Sequence, residues 1–181
     1  MRTVEVLRHT MRRKPGAHLS QQGIDLAKLV AKIAGPYDLV VTSPLPRAVE
    51  TAIAMGLEVN ETLEALGDAP PSAIDEIGWP SSFSGVMQAV ARGGACSRIA
   101  DNQAMLWRQI AARLSNSERA LLVTHGGVVE LGAVASLPEA NHSEWGDAIG
   151  YCEGVRLFYD AEGCRGIEII RLPQELRLIS N

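Results

Sequence analysis

Cysteine is scarce in this chain of 181 residues: there are three, Cys96, Cys152 and Cys164, and none stands at the Cys-x-x-Cys spacing of a zinc ribbon. The N-terminus reads as a strand followed by Met11-Arg12-Arg13-Lys14, not as a signal peptide with an apolar centre. An odd cysteine count without a secretory leader fits a reducing, cytoplasmic compartment. No stretch approaches the ~18 apolar residues of a membrane-spanning helix. Basic excess is also missing: 17 Lys and Arg stand against 21 Asp and Glu, a net charge of -4, which argues against a nucleic-acid surface but leaves room for a local cationic pocket. No Gly-x-Ser-x-Gly elbow and no His-Glu-x-x-His helix occurs, which disfavours a serine hydrolase or a zinc enzyme. Internal repeats, coiled-coil heptads and low-complexity tails are absent.

What remains is an ordinary globular composition, 46% apolar and 21% charged, at a length expected of a single domain spanning 1–181. A domain of this size buries roughly 70% of its unfolded surface, enough for a core without disulfides or metal. Thr3 to Leu7 and Asp38 to Thr42 are short apolar runs that read as buried strands, and Arg119 to Thr124 is a third. Ser20 is a candidate N-cap for a helix whose apolar face is Ile24, Ala27, Leu29, Val30 and Ile33, stopped by Gly35-Pro36. Ser43 as N-cap and Pro44 at the first helical position open a second helix. A short strand is expected over Leu57 to Val59, then irregular chain with one helical turn up to residue 82. Helices are expected over Phe83 to Ala91, Ile99 to Leu114 and Val128 to Leu137, a helical turn and loop over residues 141 to 150, and a final hairpin over Val155 to Tyr159 and Gly166 to Leu172. Strands alternating with helices predict an α/β sheet covered on both faces.

The chemistry-bearing residues fall in matching slots. Of the four histidines, His9 and His125 each follow directly on an apolar strand, and Arg8 precedes His9. Arg47 lies one turn into the helix that springs from the second strand. Parallel strands place their C-terminal ends on one edge, where ligands of open α/β sheets bind. Arg8, His9, Arg47 and His125 can therefore converge into an anion site, most simply for phosphate, that carries its own nucleophile. Taken singly, each has a plainer reading: Arg47 with Glu50 can form an exposed ion pair worth a few tenths of a kcal/mol, and His125-Gly126-Gly127 can be a simple turn. His18 and His142 read as surface residues, Glu130 as structural, and Trp79, Trp107 and Trp145 as core or rim packing. Arg12-Arg13-Lys14 reads as a solvated loop, or as an attractor of phosphorylated substrates.

These stretches resemble the histidine phosphatase superfamily, the phosphoglycerate-mutase-like group. Leu7-Arg8-His9 is similar to its Arg-His-Gly signature, with Thr10 where the family has glycine. Ser43 to Ala52 matches its Ser-Pro-x-x-Arg-Ala-x-x-Thr-Ala stretch at every defined position. Val123 to Val128 is similar to its second-histidine motif, and Leu19-Ser20 to Gly23 to the opening of its first helix. The resemblance implies a three-layer α/β/α sandwich with a mostly parallel sheet, and a phosphatase that works without metal or cofactor, because cations around the phosphate do what Mg²⁺ does elsewhere. It implies that His9 attacks phosphorus, that Arg8 and Arg47 hold the phosphate oxygens, and that His125 stabilises their growing charge. The other ring nitrogen of His9 must then keep its proton, on a backbone carbonyl. Thr10 is expected to add its N–H and hydroxyl as phosphate donors while its Cβ narrows the pocket. The family's proton donor is a glutamate some twenty-odd residues after the helix arginine; Glu64 is the candidate, with Glu76 or Asp75 as alternatives. Some compact members that act on phosphohistidine lack such an acid, since imidazole already leaves well.

The expected partner is thus a phosphorylated small molecule or a phosphoprotein. A non-catalytic phosphate-binding or regulatory domain is the alternative, motivated by Thr10 and the displaced acid. A phosphoglycerate mutase is less favoured, because 181 residues leave little chain to close over the site.

Overall fold

The computed structural model describes residues 1–179. Strand β1 (Arg2–Arg8) is central to the sheet because both of its faces are apolar or satisfied: Val4 and Val6 point to one core, Leu7 to the other. After it come α1 (Gln21–Ala31), β2 (Leu39–Thr42), α2 (Pro46–Ala54), β3 (Glu61–Thr62), α3 (Pro71–Ile77), α4 (Phe83–Ala91), α5 (Ala95–Arg113), β4 (Arg119–Thr124), α6 (Val128–Ser136), β5 (Gly154–Tyr159) and β6 (Cys164–Ile170). The six-stranded sheet has the order β3-β2-β4-β1-β5-β6. The first four in that order run parallel, and β5 and β6 form an antiparallel hairpin on the far side of β1.

The result is the expected α/β/α sandwich. Along β4 the side chains alternate, Ala120 and Leu122 facing α3 to α6, Leu121 and Val123 facing α1 and α2. The larger core holds Trp107, Phe83, Ile110 and Leu131, each fully buried side chain contributing about 1.5–3 kcal/mol. Trp107 reaches its place because α6 carries Gly132 opposite it; a Cβ there would come within 2.2 Å of the indole. Its Nε1–H donates to Gln103, which in turn donates to the Ala65 carbonyl. Glu5, buried in β1, is matched by Arg119, Arg156 and the Tyr37 hydroxyl. Among the described residues no helix is long and apolar enough to cross a membrane.

Several elements differ from expectation. Helix α2 begins at Pro46 with Leu45 as N-cap, not at Ser43 and Pro44. A residue before proline is pushed out of the α region, and Leu45 is accordingly extended at φ -67, ψ 135. Ser43 instead ends the strand edge, its N–H on the Val123 carbonyl and its Oγ accepting the Leu45 N–H. The short strand lies at Glu61–Thr62 rather than Leu57 to Val59, of which Leu57 and Val59 pack their side chains on the α1–α2 core. The irregular stretch contains a full helix, α3, opened by Pro71 and closed by Gly78 at φ 62. Helix α5 starts earlier, at Ala95, because the Glu76 carboxylate accepts the N–H groups of Ala95 and Cys96. Strand β6 likewise starts at Cys164 and ends at Ile170. His142 is 7% exposed rather than a surface residue, its Nε2 facing the Leu137 carbonyl at 3.0 Å and its ring edge-on to Trp145.

Candidate active site

The register of the parallel strands builds the site. Arg8 pairs with Thr124 and Thr42 with Val123, so β1, β4 and β2 end level with one another. The next residues, His9, His125 and Ser43, are side by side: His9 N–H donates to the Thr124 carbonyl at 2.8 Å and Ser43 N–H to the Val123 carbonyl at 2.9 Å. Helix α2 then carries Arg47 over the same edge.

The His9 and His125 rings lie 5.1 Å apart. His9 Nδ1 is 2.6 Å from the Thr10 carbonyl, which only an N–H can face, so Nε2 holds the lone pair. That Nε2 accepts from Arg47 Nε at 3.2 Å. Arg8 turns Nη1 onto the carbonyls of Ile149 and Ile179, and its guanidinium lies 4.0 Å from the Tyr151 ring centroid and 4.9 Å from that of Trp79. Its Nε is buried without a hydrogen-bond partner among the described residues. An orphaned cationic donor beside a nucleophilic nitrogen is what an anion site requires.

His125 Nε2 lies 2.9 Å from Ser43 Oγ. Its Nδ1 is 3.0 Å from Asp68 Oδ1, close enough for charge attraction but without hydrogen-bond alignment. The other oxygen of Asp68 takes Arg47 Nη2. Asp68 thus spans Arg47 and His125 while its side chain is 56% exposed.

Of the predicted site residues, Arg8, His9, Arg47 and His125 are brought together. Glu64 is not: it is exposed on a 3₁₀ turn, Glu64–Leu66, and its side chain makes no hydrogen bond or ion pair among the described residues. Glu76 is committed to capping α5, and Asp75 is exposed on α3. The carboxylate at the site is Asp68, which the sequence reading passed over. Its spacing was the available signal, since it follows Arg47 by 21 residues. Thr10 also departs from expectation. Its N–H donates to Thr51 Oγ1 and its hydroxyl to the Gly23 carbonyl, so both donors are engaged within the protein rather than offered to phosphate. Thr10 is fully buried, and through Thr51, which donates to the Arg47 carbonyl, it couples the loop after β1 to α2. Nor does Arg47 pair with Glu50, which binds His18 and the Leu19 N–H instead.

Glu130 is the structural brace. Buried in the first turn of α6, it accepts from Gly127 N–H, Ile149 N–H and Trp79 Nε1–H. The two glycines after His125 are required differently. A Cβ on Gly126 would come within 2.4 Å of the Trp79 ring, while Gly127 sits at φ +84. Among the described residues no group of three His, Cys, Asp or Glu side chains gathers as a metal-ligand set.

Burial, then the neighbouring His125, Arg8 and Arg47, holds the His9 imidazole well below the usual 6.5, against the opposing pull of the Thr10 carbonyl. Burial lowers His125 to about 4, with Asp68 opposing and Arg47 and Arg8 adding to the shift. Both rings are therefore neutral near pH 7. Below pH 6.5 the unfolded chain takes up protons that the folded site refuses, so stability present above 6.5 is lost as pH falls toward about 4. The denaturant midpoint is expected to fall through this window, and to fall less steeply in His125→Gln; identical slopes in the two proteins would refute the assignment.

No protein-family profile matches the chain, and no curated protein matches it in sequence. Solved structures do. A phosphoserine phosphatase from Entamoeba histolytica, in complex with 3-phosphoglyceric acid, superposes with a TM-score of 0.71 at 17% identity over 97% of this chain and 100% of its own. The vanadate complex of a mycobacterial glucosyl-3-phosphoglycerate phosphatase gives 0.66 at 21% identity, covering 93% and 97%. YhfR of Bacillus stearothermophilus gives 0.64 at 20% identity, covering 91% and 95%. The resemblance carried by the motifs between residues 7 and 128 thus extends to the fold, and over nearly its whole length the chain has the phosphoglycerate-mutase-like architecture of these proteins.

Proposed function

We propose that the chain is a metal-independent phosphatase that works through a phosphohistidine on His9 and acts on small phosphorylated metabolites. The observation that carries this reading is the neutral Nε2 of His9, its lone pair turned toward Arg47 Nε and its Nδ1–H spent on the Thr10 carbonyl. On substrate binding, the phosphate takes the place of the Asp68 carboxylate between Arg47 and His125. Arg47 Nε passes from the ring to a phosphate oxygen, and the orphaned Arg8 Nε takes another. Nε2 then forms the N–P bond as the P–O bond to the leaving group breaks, and the proton brought in on the monoanionic ester passes through the Asp68 carboxylate to the departing oxygen. Water attacks the phosphohistidine in the second half, its proton passing back to Asp68. The names of the structural neighbours, which include phosphatases of phosphoserine and of glucosyl-3-phosphoglycerate, support a small-metabolite substrate.

The test is phosphate release from a panel of aryl, sugar and amino-acid phosphomonoesters with and without EDTA. Turnover unchanged by the chelator is expected. Loss of activity on chelation would contradict the metal-independent reading. Tight vanadate binding without turnover of any ester would leave a phosphate-binding domain in place of an enzyme.

A further inference from the structure

We propose that Glu153 is a positioning residue for Arg8, its buried carboxylate tying the segment Gln174–Ile179 and the loop before β5 into the seat that aims Arg8 Nε at the substrate phosphate. The proposal rests on the phosphatase reading of the site. Arg8 Nη1 is held at 3.0 Å by the Ile149 carbonyl and at 2.7 Å by the Ile179 carbonyl. With one end so fixed and Tyr151 against its face, the guanidinium presents Nε in a single direction. Both acceptors lie in chain without regular secondary structure, and Ile179 is 171 residues from Arg8 in sequence. Ile149 is braced from α6, its N–H on Glu130 at 2.8 Å; the segment that carries Ile179 is reached through a different carboxylate.

That carboxylate, Glu153, is 0% exposed and joins the segment to the loop before β5. One carboxylate oxygen accepts Gly150 N–H at 2.8 Å and Arg171 Nη1 at 3.1 Å; the other accepts Leu172 N–H at 2.9 Å and Arg177 Nε at 2.8 Å. Arg171 and Arg177 both continue to the Ala148 carbonyl. Between Arg177 and Ile179, the Leu178 carbonyl accepts Tyr151 N–H. The carbonyl of Glu153 itself accepts Arg8 N–H at 2.9 Å. One buried charge therefore joins the backbone of Arg8, the ring that stacks on it and the two segments that supply its acceptors. A carboxylate needed only for folding has no reason to gather those four. A buried anion matched by two guanidiniums forms charge-assisted bonds, whose loss releases the segment without removing the rest of the core.

The experiment compares wild type with Arg177→Met, Arg177→Lys and Glu153→Gln, reading the Arg8 Nε–H resonance by NMR, the affinity for inorganic phosphate, and kcat and KM on an aryl phosphate. Arg177→Met cuts the tie to the segment while leaving Glu153 with Arg171 and two N–H donors, so it remains folded if Glu153→Gln does not. The expected result is a broadened, faster-exchanging Arg8 Nε–H and about tenfold weaker phosphate binding in Arg177→Met, with partial recovery in Arg177→Lys. KM is expected to rise more than kcat falls. An unchanged Arg8 resonance and unchanged phosphate affinity in folded Arg177→Met would overturn the clamp. A changed resonance and weakened phosphate binding, in a protein whose wild type turns over no ester, would uphold the clamp and count against the phosphatase reading.

Discussion

Replacing His9 with alanine is expected to lower turnover of an aryl phosphate by about 10⁴-fold or more, while inorganic phosphate still binds. The ring contributes a nitrogen lone pair whose partner, Arg47 Nε, is itself a cationic donor that a phosphate oxygen can take over. His125 Nε2 is occupied by Ser43 Oγ, and its Nδ1 faces Asp68. No other group can form the N–P bond, so the loss is of the pathway and not of one contact. Binding survives because Arg8 is seated by the Ile149 and Ile179 carbonyls, neither of which depends on His9, and Arg47 is carried over the site by α2. Residual activity within tenfold of wild type would remove His9 from the chemistry.

Asp68→Asn is expected to split binding from catalysis. The carboxylate sits against Arg47 and His125, where a phosphate must go. Removing its charge removes a competitor, so inorganic phosphate and vanadate are expected to bind more tightly. The same change takes away the proton donor, so kcat on an alkyl phosphate is expected to fall by about 10²–10⁴-fold. An aryl phosphate, whose phenolate leaves without a proton, is expected to lose far less. Glu64→Gln is expected to alter neither. Equal losses on both leaving groups, or weaker phosphate binding in Asp68→Asn, would sink this role.

The slots of Arg8, His9, Arg47 and His125 were legible because they depend on local pattern: an apolar strand of a few residues, its end, and the helix that follows. Parallel packing then brings those ends level with no further information. The start of α2 was misplaced because Ser43-Pro44 is a good opening taken alone; Pro46 forbids it through its effect on Leu45. Helix α3 was hidden by the Pro70-Pro71 pair, although Pro71 and Gly78 are its proper ends. Thr10 was misjudged because its partners, Thr51 and the Gly23 carbonyl, belong to two different helices. Glu64 was the candidate with Glu76 or Asp75 as alternatives, and Asp68 was not among them. The 3₁₀ turn Glu64–Leu66 and the extended Gly67 after it turn the chain so that Asp68 is the residue delivered to Arg47. The seat of Arg8 was not legible at all, since its acceptors are the backbone carbonyls of Ile149 and Ile179, far from it in sequence. Pattern therefore finds groups placed by a strand end and the helix after it, and misses those delivered by irregular chain or by contacts distant in sequence.

The most direct measurement of the central claim is the covalent intermediate. The protein is mixed with a phosphomonoester, quenched within a turnover in alkaline denaturant, which preserves phosphohistidine, and digested for mass spectrometry. A phosphoryl group on the peptide carrying His9, absent from Asp68-containing peptides and absent in His9→Ala, is the result expected. Steady-state turnover with no phosphorylated His9 at any quench time, or a phosphoryl group on His125 in its place, would contradict it.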